Sequence, residues 1–229
     1  MANSILITGA IRGIGAALTK HYSAAGWQVY AACRSPEKAG AIAELPGVEL
    51  FKLDVENEKS IASVGEQFAE KPIDVLINNA GILGSGYVEQ SFGGGDTEAW
   101  VQAFRVNTIA PLRMVEALIA SLETGQAKKV INISSIVASM TTPLFGGMYH
   151  YRSTKAGLNS ITVGLATDLA EKGISVASIH PGRVATDMGE PDAPINPQQA
   201  ADYIGAIVDK LNIDCSGKFF SYDGSEVAW

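Results

Sequence analysis

Short apolar runs alternate with amphipathic stretches along the whole chain. Ser4–Thr8 (SILIT), Trp27–Arg34 (WQVYAACR), Val48–Leu53 (VELFKL), Pro72–Ile77, Lys128–Ser134 (KKVINIS), Ile174–Ile179 (ISVASI) and Lys218–Ser221 read as strands. The segments between them carry helical patterns. One follows Gly15 and closes at Gly26; others cover Pro36–Leu45, Glu56–Lys71, Thr97–Thr124 with Asp96 as N-cap, Tyr149–Lys172 and Pro197–Leu211. Gly84–Asp96 reads as a flexible loop, Gly189–Pro197 as a short proline-bearing loop, and Asp223-Gly224 as a turn. Strand-helix alternation from end to end predicts an α/β protein, a doubly wound parallel sheet with helices on both faces.

Composition narrows this. A chain of 229 residues suits one large α/β domain, 47% hydrophobic residues suffice for a full core, and no repeat or linker divides 1–229. Lys+Arg 17 against Asp+Glu 24 gives a net charge of −7, which is no footprint for nucleic acid or an anionic membrane. Cys33 and Cys215 suggest free thiols rather than a disulfide scaffold. His21, His150 and His180 lack metal-ligand spacing, so no metal is expected. No signal peptide or membrane-spanning run is visible, so the expectation is a soluble cytoplasmic protein.

The candidate chemistry gathers where strands end. Gly9, Gly13 and Gly15 sit between the first strand and its helix, a layout that turns backbone N–H groups and a helix N-terminus towards a pyrophosphate. Their spacing is GxxxGxG, not GxGxxG, and a tight turn with no ligand has the same appearance. The second strand ends in Cys33, Arg34 and Ser35, with no acid before Glu37. An acid there would accept from a ribose 2′-hydroxyl and repel a 2′-phosphate. Arg34 and Arg12 in its place favour NADP(H) over NAD(H). Asp54-Val55 follows the third strand, where Asp54 suits an adenine amino group or an ordinary helix cap. Asn78–Gly81 (NNAG) follows the fourth, a turn that lets a cofactor lie close.

Asn107 stands mid-helix in FRVNTIAPL, where Pro111 should bend the helix and expose a carbonyl near Asn107. Ser134-Ser135 ends the fifth strand. After it, Met140, Leu144 and Phe145 are available to line a pocket. In YHYRSTK, Tyr151 and Lys155 lie one helical turn apart. A cation beside a phenol of pKa ~10 favours the phenolate and prepares the tyrosine for proton transfer near neutrality. Tyr149 should face elsewhere as pocket wall, and His150 should be a surface residue.

Together these motifs resemble the short-chain dehydrogenase/reductase family over essentially the whole chain. They are TGAIRGIG at Thr8–Gly15, NNAG, the helix Asn107, the serine after the fifth strand, YxxxK at Tyr151–Lys155 and PGxVxTxM at Pro181–Met188, in family order. Ser135 lies sixteen residues before Tyr151, three more than is usual in the family. That longer loop, the YHYRSTK run and the YDG…AW ending look like the sniffer-type and C-factor-type carbonyl reductases. The resemblance implies a single Rossmann-type domain with a seven-stranded, mostly parallel sheet in the order 3-2-1-4-5-6-7. It implies catalytic Asn107, Ser135, Tyr151 and Lys155, with Ser134 left as a possible substitute for Ser135. Implied cofactor contacts are Gly9, Arg12, Gly13, Ile14, Gly15, Arg34, Asp54, Val55, Asn79, Ala80, Gly81, Tyr151, Lys155, Pro181, Gly182, Val184 and Thr186.

On that pattern Tyr151 exchanges a proton, Lys155 lowers its pKa and reaches the nicotinamide ribose, and Ser135 holds the substrate oxygen. Asn107 holds a water leading to Lys155, and Thr186 meets the carboxamide. The implied activity is NADPH-dependent reduction of small aldehydes, ketones or quinones, by a homodimer packed through Thr97–Thr124 and Tyr149–Lys172. A pteridine reductase, or a C-factor-like cofactor-binding signalling protein, is the alternative.

Overall fold

The computed structural model describes residues 3–86, 88–141 and 145–229. Seven strands form one sheet in the order β3-β2-β1-β4-β5-β6-β7. They are β1 (Ser4–Thr8), β2 (Gln28–Cys33), β3 (Val48–Lys52), β4 (Val75–Asn78), β5 (Lys129–Ile133), β6 (Ser175–His180) and β7 (Lys218–Ser221). All six pairings are parallel.

Side chains alternate across a strand, so each apolar run feeds two cores. Ile5, Ile7, Ile77, Ile131 and Ile179 pack beneath α1 (Gly13–Ala24) and α6 (Pro197–Lys210). Leu6, Leu76, Val130 and Val176 face the other way. They pack against α2 (Glu58–Phe68), α4 (Ala110–Thr124) and α5 (Tyr149–Asp168). At the amino edge of the sheet, Asp74 accepts from the Ser4 amide at 2.7 Å and the Gln126 amide at 2.6 Å. It also accepts from Ser4 Oγ and the Ala127 amide, so one carboxylate gathers β1, β4 and the lead into β5.

Several expected elements differ. Pro36–Leu45 is two short 3-10 turns, Pro36–Lys38 and Gly40–Glu44, because Gly40 adopts φ 52°, outside helical space. The long helix of Thr97–Thr124 is α3 (Thr97–Phe104), a π turn (Arg105–Ile109) and α4. Pro111 lacks the N–H that would reach the Asn107 carbonyl in an α-helix, and the chain widens by a π turn there. Asn57 caps α2, its side chain accepting from the Lys59 and Ser60 amides; Asp54 instead closes a local turn onto the Glu56 amide. α5 stops at Asp168, before a 3-10 turn over Ala170–Lys172.

His150 is not at the surface. It is 2% exposed and stacks on Trp100 of α3, with ring centroids 5.0 Å apart. The sequence leaves a histidine's burial open; here the α3–α5 packing takes the ring. Leu144 falls outside the described residues.

Candidate active site

A cavity of about 420 Å³ opens along the carboxyl ends of the central strands, a size usual for cofactor sites. Its floor is the turn between β1 and α1. Gly9 and Gly13 have φ of 67° and 51°, which side-chain-bearing residues rarely adopt. Gly15 is fixed by contact: a Cβ there would sit 2.1 Å from the Gly9 carbonyl oxygen and 2.6 Å from Asn79 Nδ2. The first turn of α1 carries no acid, so its free N–H groups face the cavity without a competing charge.

Asn79 ties this turn to β4. Its Nδ2 donates to the Thr8 carbonyl at 2.9 Å, while Thr8 Oγ1 accepts from the Asn79 and Ala80 amides, each at 3.0 Å. The glycine turn and NNAG are therefore one hydrogen-bonded unit.

Arg12, Arg34 and Lys38 border the cavity around the end of β2, and Glu37 does not. Arg12 also forms an exposed ion pair with Asp187 at 3.6 Å, across the cavity mouth. Lys38 and Asp187 were not foreseen. Lys38 lies in the segment expected to be helical, and Asp187 in the PGxVxTxM motif, where neither residue carried an expected role. Glu56, a further unforeseen acid on the lining, accepts from Gln102 Nε2.

Tyr151 and Lys155 line the opposite end of the same cavity. Lys155 Nζ lies 5.8 Å from the centre of the Tyr151 ring and donates to the Ile133 carbonyl at 2.7 Å. Its side chain is almost fully buried, and that burial lowers its pKa from 10.5 to about 8. Among the described residues no carboxylate pairs with it. Asn107 is buried behind the cavity. Its Nδ2 donates to the Ile82 carbonyl at 2.8 Å and to Thr154 Oγ1 at 3.0 Å, and its Oδ1 accepts from the Ile82 amide. The π turn, the chain after NNAG and the Tyr151 helix are thus joined through one side chain.

Most of the residues singled out from sequence reach this cavity, from Gly9, Arg12, Gly13, Ile14 and Gly15 through Arg34, Asp54, Val55, Asn79, Ala80 and Gly81 to Pro181 and Thr186. Gly182 and Val184 do not line it. A Cβ on Gly182 would meet Ile195 Cδ1 at 2.4 Å, and Val184 is buried against Ile195 and Ala200. Met140, Phe145 and Tyr149 are exposed outside it.

The two serines differ. Ser134 lines the cavity, but its hydroxyl is buried and donates to Asn159 Oδ1 on α5 at 2.7 Å. Ser135, the serine expected to meet the substrate, is partly exposed just after β5 and does not line the cavity. The Gly84–Asp96 segment is not a free rim either, because Gln90 is buried within it.

Residues 3–195 match the family model described as short chain dehydrogenase. The chain belongs to that family. It is an oxidoreductase fold of the sniffer and C-factor type. C-signal of Myxococcus xanthus is 37% identical over 158 residues, covering 69% of this chain and 93% of that one. The carbonyl reductase Sniffer of D. melanogaster superimposes with a TM-score of 0.90 at 29% identity, covering all of both chains. The NADPH-bound carbonyl reductase from chicken fatty liver superimposes with a TM-score of 0.89 at 29% identity, covering 100% of this chain and 99% of that one.

Proposed function

We propose that this chain is a single-domain, cytoplasmic, NADPH-dependent carbonyl reductase acting on small aldehydes, ketones or quinones. One observation carries the proposal: Tyr151 and Lys155 share a cavity with a glycine turn at its floor and Arg12, Arg34 and Lys38 at its far end. The residues fit the cofactor. Gly9 and Gly13 hold the β1–α1 turn at positive φ, α1 offers its first-turn N–H groups to a pyrophosphate, and three cations suit a 2′-phosphate. NADPH supplies a hydride when bound.

Tyr151 gives its phenolic proton to the carbonyl oxygen as negative charge grows there. Lys155, with a pKa of about 8, is largely cationic at pH 7, so it favours the phenolate that Tyr151 becomes. Ser135 donates a hydrogen bond to the same oxygen, a role for which Ser134 is ill suited because its hydroxyl is committed to Asn159. Asn107 holds the helix start at Thr154 and helps return a proton through Lys155. Gly182 and Val184 shape the turn that presents Pro181 and Thr186.

Exposed Val101, Ile109 and Val163 on α3, the π turn and α5 fit a homodimer packed through these helices. Similarity to C-signal motivates one alternative, a cofactor-binding signalling protein. NADPH and NADH oxidation against a panel of aldehydes, ketones, a quinone and a pterin tests the proposal. Turnover with NADPH on simple carbonyls supports it, preference for the pterin reassigns the substrate, and tight NADPH binding with no turnover favours signalling.

A further inference from the structure

The first turn of α5 has an unusual start. Its N-cap position is Met148, at φ 54° and without a side-chain cap. The opening N–H groups of a helix need acceptors from elsewhere. Here one residue from a distant loop supplies two of them. The Gln90 carbonyl accepts from the Tyr149 amide at 3.3 Å, and Gln90 Oε1 accepts from the Tyr151 amide at 2.9 Å. The same side chain donates through Nε2 to the Leu83 carbonyl at 3.1 Å and the Ser85 carbonyl at 2.5 Å. Gln90 is 0% exposed, so each of these bonds is made in a medium where leaving it unmade is costly.

We infer that Gln90 is a positioning residue for the reaction proposed above: its amide oxygen sets the height of Tyr151 on α5, and its amide nitrogen folds residues 83–90 beside that helix. No other side chain among the described residues caps the Tyr151 amide. The neighbouring residues hold the turn from other sides. His150 stacks on Trp100, and Arg152 donates to the Phe145 carbonyl at 2.7 Å. Gln90 links the backbone N–H of Tyr151 directly to the segment that follows NNAG. A buried amide is suited to this because it accepts and donates at once, which neither a carboxylate nor an ammonium does.

The two halves of the amide separate experimentally. Gln90→Ala removes both, so kcat should fall on the order of tenfold to a hundredfold, as expected for a reacting group held out of place. The carbonyl substrate's KM should rise several-fold. Gln90→Glu keeps the acceptor for Tyr151 and loses the donors, so kcat should return to within about threefold of the original while KM stays high. Protonation of the introduced carboxyl restores one donor, so the Gln90→Glu KM should improve from pH 8 to pH 5.5.

Two readouts do not depend on turnover. NADPH affinity by fluorescence titration should be unchanged in both variants. Hydrogen exchange of the Tyr151 amide should accelerate in Gln90→Ala and return towards the original in Gln90→Glu. If no carbonyl is reduced by the unaltered protein, the proposed function fails, and the exchange data still decide the role of Gln90. Unchanged exchange at Tyr151 in Gln90→Ala overturns the inference. Equal loss of kcat and NADPH affinity in both variants also overturns it, by making Gln90 a general support of the fold.

Discussion

Replacing Lys155 by methionine should remove a pH dependence from the stability of the ligand-free protein. Burial lowers the pKa of this amine from 10.5 to about 8 in the folded chain, a difference of about 3 kcal/mol between its two protonation states. Between pH 8 and 10.5 the unfolded chain holds a proton on Lys155 that the folded chain has released. Native stability therefore rises with pH across that window, and below pH 8 both forms are protonated and the contribution is flat. Methionine fills similar space and does not titrate. Other titrating groups are common to both proteins and cancel in the difference. Urea unfolding from pH 7 to 11 should show the unaltered protein gaining about 3 kcal/mol relative to Lys155→Met. At pH 7 the variant should be no less stable. Relief from burying a cation offsets the lost bond to Ile133, worth about 1–3 kcal/mol. Parallel stability curves would refute the claim that burial depresses this lysine. Turnover should be lost in the variant regardless, which is the sense in which the site is held at a cost in stability.

Three further outcomes follow from the site and the fold. Gly15→Ala drives a Cβ to 2.1 Å from the Gly9 carbonyl oxygen; NADPH binding measured by titration should weaken at least tenfold and the melting temperature should fall, and wild-type affinity would contradict the close packing of the two turns. Arg34→Glu places an acid beside the expected 2′-phosphate, so the KM for NADPH should rise on the order of tenfold to a hundredfold with little change for NADH; equal loss for both cofactors would dissociate Arg34 from the phosphate. At Asp74, burial pushes the pKa up, but hydrogen bonds from Ser4, Gln126 and Ala127 outweigh it and hold it below the usual carboxylate value. Its contribution is therefore present above pH ~4 and lost as pH falls through the folded pKa, so Asp74→Ala should lower stability by about 1–3 kcal/mol at pH 7 and by less in acid; an equal deficit at pH 3 would argue for a purely steric role.

Much of this architecture was legible because a doubly wound sheet writes itself into the chain twice. The inner strands are apolar at successive positions, as in Ile5-Leu6-Ile7, since both faces are covered, whereas the edge strands β3 and β7 are only partly buried. The glycine turn was legible because backbone at φ 51–67° leaves few residue choices. That Tyr151 and Lys155 share a face of α5 was legible from their helical spacing, whereas their expected role came only with the resemblance to the family. The features that were missed depend on contacts between distant segments. The burial of His150 is decided by Trp100, fifty residues earlier, and Gln90 looks like any loop glutamine until its oxygen meets Tyr151. Lys38 reaches the cavity from the end of a short 3-10 turn, where a longer helix was expected. The bond from Ser134 to Asn159, which bears on the proposed role of Ser135, involves a partner that no motif includes.

The most direct test of the central claim is turnover of NADPH with a simple aldehyde by the unaltered protein and by Tyr151→Phe, with cofactor affinity measured alongside. The account predicts that the variant binds NADPH within about twofold of the original and loses turnover by a factor of a thousand or more, on the order of 4 kcal/mol of transition-state stabilisation. Appreciable residual turnover at intact NADPH affinity would show that the proton comes from another group, and would remove Tyr151 from the centre of the mechanism.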